Sequence, residues 1–178
     1  MWNPNLYQKT LSFANHAHRK QLLPGSDLPY VSHLCNVCME AVHAVLQSGH
    51  EDIDLVMQYA LLHDTIEDTD VTYDELKKQF SQQVADGVLA LTKNFELEKS
   101  KQMPDSLERI LQQPPEVRIV KMADRVNNLS KPPHYWTREK KIRYRSEAKI
   151  ILDTLGGVNS FIEARLSRRI EAYQDYIN

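Results

Sequence analysis

The segment Leu61-Leu62-His63-Asp64-Thr65-Ile66-Glu67-Asp68-Thr69 concentrates side chains that can bind a cation or move a proton. On a helix of 3.6 residues per turn, Glu67 follows His63 by four and Asp68 follows Asp64 by four, so each metal-capable group has a carboxylate on nearly the same side. Hydrolysis uses such a pairing: one set of groups holds a cation while the other manages the protons of a water. Further along, Val117 and Val120 start an apolar ridge whose next position is Asp124, so a carboxylate stands where the spacing calls for buried apolar surface. A buried charge requires a partner, and either Arg125 or a cation would serve. His33 sits in the first turn of another helical stripe, and alone it reads as a histidine that caps or packs. Taken together, His33, His63, Asp64 and Asp124 come from three helices, which is how helical proteins build a metal centre in the cleft between them. Two imidazoles and two carboxylates suit manganese, iron, cobalt, nickel or zinc, suit calcium poorly, and make magnesium alone the weaker choice. An EF-hand reading of Asp68-Thr69-Asp70 fails, because Tyr73 occupies its sixth position and Gln79 its twelfth.

The elements that must carry these residues are helical almost throughout. Glycines number only five, and apolar residues recur at helical spacing while alternating runs are scarce, so the chain reads as all-α. The cap Asn3 and the first-turn Pro4 open a helix predicted over 4–21, which Pro24-Gly25-Ser26-Asp27 ends. A second helix over 30–47 carries Leu34, Val37, Cys38, Ala41, Val42 and Val45 as its stripe and stops near Gly49. The third, over 52–66, delivers His63 and Asp64 at its C-terminal end. Thr72 and Glu75 form a capping box for a short helix to residue 80, and another follows over 81–93. The polar stretch 94–105 is expected to be a mobile loop near the cleft, with a short helix over 106–111 after it. Helices over 116–130, 136–155 and 158–177 complete the chain.

At 178 residues, with 42% apolar and 26% charged residues, the chain has the size and composition of one soluble domain, residues 1–178. A net charge of −2 argues against a polymeric nucleic acid or an anionic membrane as partner but leaves room for a small anionic substrate. No apolar run is long enough to span a membrane, and the N-terminus lacks the pattern of a signal peptide, so a cytoplasmic location is expected. Cys35 and Cys38 form a C-x-x-C pair with no second pair to complete a zinc site, and core packing is their expected role. The remaining histidines, His16, His18, His43, His50 and His134, read as surface or packing residues.

His33 within Pro29-Tyr30-Val31-Ser32-His33, the string His63-Asp64-Thr65-Ile66-Glu67-Asp68, and Asp124 within Ala123-Asp124-Arg125-Val126-Asn127-Asn128-Leu129 resemble the HD phosphohydrolase superfamily. Within it, they are similar to the hydrolase domain of RelA/SpoT proteins and to the stand-alone small alarmone hydrolases of the metazoan SpoT-homologue type. The resemblance covers nearly the whole chain and implies a helical HD-domain bundle of roughly eight to ten helices with its metal site between helices. It implies one divalent ion, manganese first and iron, cobalt, nickel or zinc as alternatives, held by His33, His63, Asp64 and Asp124, with Glu67 and Asp68 managing the attacking water. It also implies a small phosphorylated nucleotide as substrate, guanosine 3′,5′-bis(diphosphate), whose 3′-diphosphate would leave as pyrophosphate; it is compatible with a homo-oligomer. Thr65, Asn128, Lys140 and Tyr144 match substrate-binding positions of that family. One departure stands out: after Ala17-His18-x-x-Gln21 the family carries arginine or lysine, and here Leu22-Leu23 follow, with Arg19 and Lys20 upstream as the replacement cations. Losing a charge-assisted phosphate contact weakens binding by roughly ten- to over a hundredfold if uncompensated, so a hydrolase of a different nucleotide or phosphoester is the alternative. A catalytically silent nucleotide sensor is the less favoured one, because a binding module has no need of Glu67 and Asp68.

Overall fold

A computed structural model describes residues 2–49 and 52–177. His50 therefore lies outside the described residues. Helix α1 (Pro4–Ala17) starts where the Asn3 side chain accepts from the backbone N–H groups of Asn5 and Leu6, with Pro4 in the first turn. It ends earlier than predicted, at Ala17 rather than residue 21. His18 leaves helical geometry there (φ −90°, ψ 12°) and turns its ring inward, and the chain closes a small loop through the antiparallel bridge between Leu22 and Pro29.

Helix α2 (Val31–Ser48) buries the predicted stripe except Val42, which is partly buried, and stops at Gly49, whose φ of 73° is the left-handed conformation that a residue without Cβ adopts at little cost. Asp52 caps α3 (Ile53–Leu62), in which every residue from Val56 to Leu62 is buried, so this is the central helix rather than an amphipathic one. The break comes at His63 and Asp64, and the short α4 (Thr65–Asp68) resumes after them. Next are α5 (Tyr73–Gln79), capped by Thr72, and α6 (Gln82–Leu91), capped by Ser81. Gly87 of α6 lies directly on the fully buried Tyr59 ring, where an added Cβ would meet ring carbon at 2.2 Å.

The polar stretch expected as a loop over 94–105 is largely helical: α7 runs Lys99–Leu111 and passes through Pro104. Met103, Leu107 and Ile110 give it an inward stripe at helical spacing, and Arg109 ties it to the carbonyls of Leu89 and Thr92 as well as to Asp105. Tertiary packing thus outweighs the missing N–H of the proline. Helix α8 (Pro115–Asn128) begins with Pro115 in its first turn, α9 (Arg138–Leu155) is capped by Thr137, and α10 (Ser160–Ala172) is capped by Asn159. A 3₁₀ turn, Tyr173–Tyr176, replaces the last part of the helix predicted to residue 177.

The described residues thus hold ten α-helices, within the expected number, and one isolated bridge as their sole β-pairing. Helices α2, α3 and α8 pack on one another, with α10 lying across α2 and α8. Those three mutually packed helices are the ones that bear His33, His63 and Asp124. Among the described residues no helix is long and apolar enough to cross a membrane.

Candidate metal centre

His33 projects from the first turn of α2, His63 and Asp64 from the break after α3, and Asp124 from the last turn of α8. Their ring nitrogens and carboxylate oxygens converge. His33 Nε2 lies 3.3 Å from His63 Nε2, 3.7 Å from Asp64 Oδ2 and 3.3 Å from Asp124 Oδ1. His63 Nε2 lies 2.9 Å from Asp64 Oδ2 and 3.7 Å from Asp124 Oδ1. Donors bound at ~2.1 Å to one ion sit ~3.0 Å apart at right angles and ~3.4 Å apart in a tetrahedron, so His33, His63 and Asp64 are spaced as ligands sharing a cation, and Asp124 stands in the same range of both imidazoles.

The outer ring nitrogens fix the tautomers. His63 Nδ1 is 2.8 Å from the Ala60 carbonyl, an oxygen that only accepts, so the N–H sits on Nδ1 and Nε2 presents a lone pair. His33 Nδ1 is 2.8 Å from Asn127 Oδ1 and, with the amide so assigned, is orientated in the same way. Two lone-pair nitrogens facing each other and two carboxylates, nearly excluded from water, repel unless something positive lies between them. The residues present therefore fit a divalent cation. When no cation is bound, a proton on His63 Nε2 can fill that place: burial pushes the Asp64 and Asp124 carboxyls upward, yet the neighbouring imidazoles hold both well below the usual carboxylate range, and a divalent cation would displace that proton. Burial likewise disfavours charge on His63, and Asp64 and Asp124 outweigh it, raising its pKa well above the ordinary value.

Each of these side chains has a positioning partner; of these the sequence singles out only Asn128, as a substrate-binding residue, and here it bonds Asp124 instead. The Tyr30 hydroxyl donates to Asp64 Oδ2 at 2.5 Å, and burial, then the Asp64 charge, holds that phenol strongly protonated. Asn128 Nδ2 donates to Asp124 Oδ1, while Lys121 approaches the other oxygen at 3.7 Å. Asn127 and Asn128 follow Asp124 by three and four residues, which is the spacing that could have identified them as its neighbours on one helix face. Arg125, the alternative partner considered for Asp124, turns away instead: it stacks on the Tyr144 ring at 4.2 Å and faces Glu147 at 3.8 Å. His18 is also part of this environment. Its ring is buried, stacks on Tyr30 at 4.9 Å and contacts Gln21 Oε1 through Nδ1 at 2.6 Å.

Glu67 and Asp68 border the cluster without entering it. One Glu67 oxygen accepts from the Lys93 backbone N–H at 2.9 Å, and the other is paired with the Lys93 ammonium. Asp68 accepts from Gln21 Nε2 at 3.0 Å. Burial raises the Asp68 pKa above the ordinary value; the Gln21 contact opposes this, and the Asp64 and Glu67 charges add to it.

The sequence-predicted substrate residues divide between two cavities. Arg19 and Lys20 line one of about 630 Å³ together with Gln21, Glu67 and Asp68. Lys140 and Tyr144 line another of about 370 Å³, with Lys93, Lys121, Arg143 and Trp136. Lys140 rests its ammonium over the Trp136 ring, 4.1 Å from its centre. Part of α7, including Lys99 and Met103, closes that cavity, so the segment expected near the cleft does border it, as a helix. Thr65 joins neither: it is fully buried, and its hydroxyl donates to the Leu62 carbonyl at 2.6 Å, bracing the break between α3 and α4. Cys35 and Cys38 are free thiols on α2; Cys38 is buried and Cys35 half-buried, in keeping with packing.

Comparison with known proteins gives the same picture. Guanosine-3′,5′-bis(diphosphate) 3′-pyrophosphohydrolase MESH1 of Mus musculus is 33% identical over 164 residues, covering 89% of this chain and 89% of that protein. The MESH1 protein of Drosophila melanogaster is 30% identical over 167 residues and covers 90% of each. A solved structure described as "A metazoan ortholog of SpoT hydrolyzes ppGpp and plays a role in starvation responses" superposes with a TM-score of 0.83 at 27% identity, over 100% of this chain and 99% of that one. The profile of the HD domain matches residues 10–155, which span all four converging side chains, and the chain belongs to the HD-domain family, in its MESH1/SpoT-type branch.

Proposed function

We propose that the chain is a metal-dependent phosphohydrolase whose substrate is guanosine 3′,5′-bis(diphosphate), cleaved to GDP and pyrophosphate. The observation that carries this reading is the convergence of two imidazole nitrogens, 3.3 Å apart, each of which lies 2.9 to 3.7 Å from an oxygen of both Asp64 and Asp124, beside two further acids. His33, His63, Asp64 and Asp124 would hold a divalent cation, manganese by the chemistry of the mixed N/O set. When bound, that cation supplies a water acidified toward neutrality and neutralises phosphoryl oxygens. The protein's own contribution is positional and protolytic. Tyr30, Asn127 and Asn128 fix the donor atoms, so little reorganisation is needed as substrate enters. Glu67 orients the attacking water, and Asp68, its pKa raised by burial, accepts the proton. Lys140, Arg143 and Lys121 supply positive charge for a nucleotide's phosphates, and Trp136 and Tyr144 supply flat apolar surface. Arg19 and Lys20 add charge on the opposite side of Glu67 and Asp68.

The activity for which the MESH1 relatives are named supports the substrate, and release of pyrophosphate by the manganese-loaded protein tests it. Bound metal without release from this nucleotide removes the assignment. A second reading rests on one observation: Leu22 stands 54% exposed beside Gln21, where the family carries cations. A different phosphorylated metabolite would then be the substrate, and a screen of phosphoesters with the same protein would find it.

A further inference from the structure

The site is short of cations at Leu22-Leu23, yet one cation, Lys93, joins its two cavities with no family-matched role. Lys93 follows α6, and it alone occupies both carboxylate oxygens of Glu67, one through its backbone N–H at 2.9 Å and one through its ammonium. The two ends of this pair belong to different cavities: Glu67 lines the one with Arg19 and Lys20, and Lys93 lines the one with Lys140 and Tyr144. Exposure is uneven, 46% for the Lys93 side chain against 12% for Glu67, so the ammonium is the accessible partner. Burial opposes its charge, but the Glu67 carboxylate outweighs burial and keeps it protonated.

We propose that Lys93 is a phosphate-reading residue of the proposed hydrolase, held by Glu67 until substrate arrives and then transferred to a phosphate group of the nucleotide. This rests on the function proposed above. A phosphate bearing more charge than a carboxylate competes well for the ammonium once it enters the cavity. The exchange leaves Glu67 held by the backbone N–H of residue 93 alone, with its other oxygen free to receive a hydrogen bond from water. Binding of the correct anion and release of a catalytic oxygen thus become one event, and the cation missing at Leu22-Leu23 is replaced from the far side of the cleft.

The test uses manganese-loaded protein, with GDP and inorganic pyrophosphate titrated separately and kinetics measured on guanosine 3′,5′-bis(diphosphate). Lys93→Ala keeps the backbone contact to Glu67, so it should raise KM about ten- to a hundredfold, by more than it lowers kcat, and weaken at least one product to a similar degree. Lys93→Arg should restore most of the loss. Glu67→Gln removes the competing charge; it should tighten that product several-fold when Lys93 is present and leave affinity unchanged in the Lys93→Ala background. Circular dichroism and thermal melts establish that each variant is folded. A fall in kcat with KM and both product affinities unchanged would make Lys93 a mere anchor for Glu67 and overturn the proposal, as would wild-type protein that binds neither product. Should wild type fail to hydrolyse the nucleotide while Lys93→Ala still weakens product binding, the substrate assignment falls and the role of Lys93 stands.

Discussion

Around the metal centre each donor is fixed by a specific neighbour, whereas the cations of the adjoining cavities stand partly in water on long flexible side chains. His63 is locked by the Ala60 carbonyl, His33 by Asn127, Asp64 by Tyr30 and Asp124 by Asn128, and the donors stand on α2 and α8 and at the end of α3, three helices packed directly on one another. Lys140, by contrast, is exposed and leans on the Trp136 ring, and Lys93 is shared with Glu67. The centre is held by a hydrogen bond to each donor, while cavity cations such as Lys140 rest on flexible side chains, so substrate recognition can be altered by exchanging surface cations while the chemistry beneath is untouched.

If that contrast is right, damage to the centre should be far more severe than loss of a freely exposed wall cation, one that, unlike Lys93, is not held by a carboxylate. Asp64→Ala removes a ligand and leaves the Tyr30 hydroxyl without its acceptor, so metal content by mass spectrometry should fall to background and turnover by roughly a thousandfold or more. Retained stoichiometric metal in this variant would break the comparison at its strongest point. Tyr30→Phe keeps every ligand and deletes one hydrogen bond. Metal affinity, read by competition with a chromophoric chelator, should drop about ten- to a hundredfold, and Asn127→Ala should match it through His33. An unchanged affinity would mean that the ligands are held by packing alone.

On the cavity side, Lys140→Ala should raise KM only a few-fold, because an exposed ammonium on a flexible side chain makes a solvent-screened contact with phosphate on the order of 1 kcal/mol. Metal content should not move. A loss as large as that of Tyr30→Phe would show that the walls are as tightly specified as the centre.

The same division governs what could be read from the amino-acid sequence. The donors were legible because they break a pattern: Asp124 interrupts an apolar ridge, and His63-Asp64 ends the most apolar helix of the chain. Helix existence was legible for the same reason, through periodicity that burial enforces. Less visible were contacts between residues remote in sequence, such as Tyr30 with Asp64 or Lys93 with Glu67, since no local rule pairs them. Boundaries failed where tertiary contacts override composition. Polar α7 holds together through Arg109 and a stripe of Met103, Leu107 and Ile110, and α1 stops short because His18 turns in to stack on Tyr30. His18 also shows the limit of reading histidines by spacing alone: its place beside the centre depends on a chain reversal at Leu22 and Pro29.

The smallest expected effect concerns Cys38, which belongs to the rigid side of the molecule although its C-x-x-C motif has the look of a redox site. Burial, with a minor contribution from Cys35, pushes its thiol up to about 12, so the neutral form is the favoured one. At pH 8 only about one molecule in ten thousand would carry the reactive thiolate, and raising the pH to 9 would increase that fraction about tenfold without making it large. Half-buried Cys35, also shifted upward by burial, should still be alkylated first. Peptide mapping after iodoacetamide treatment should find Cys38 unmodified in the folded protein at pH 8 and modified readily only in denaturant, with turnover of the folded protein unaffected by the reagent. Rapid labelling of native Cys38 would mean that α2 opens near His33, and the claim that the centre rests on an immobile frame would have to be withdrawn.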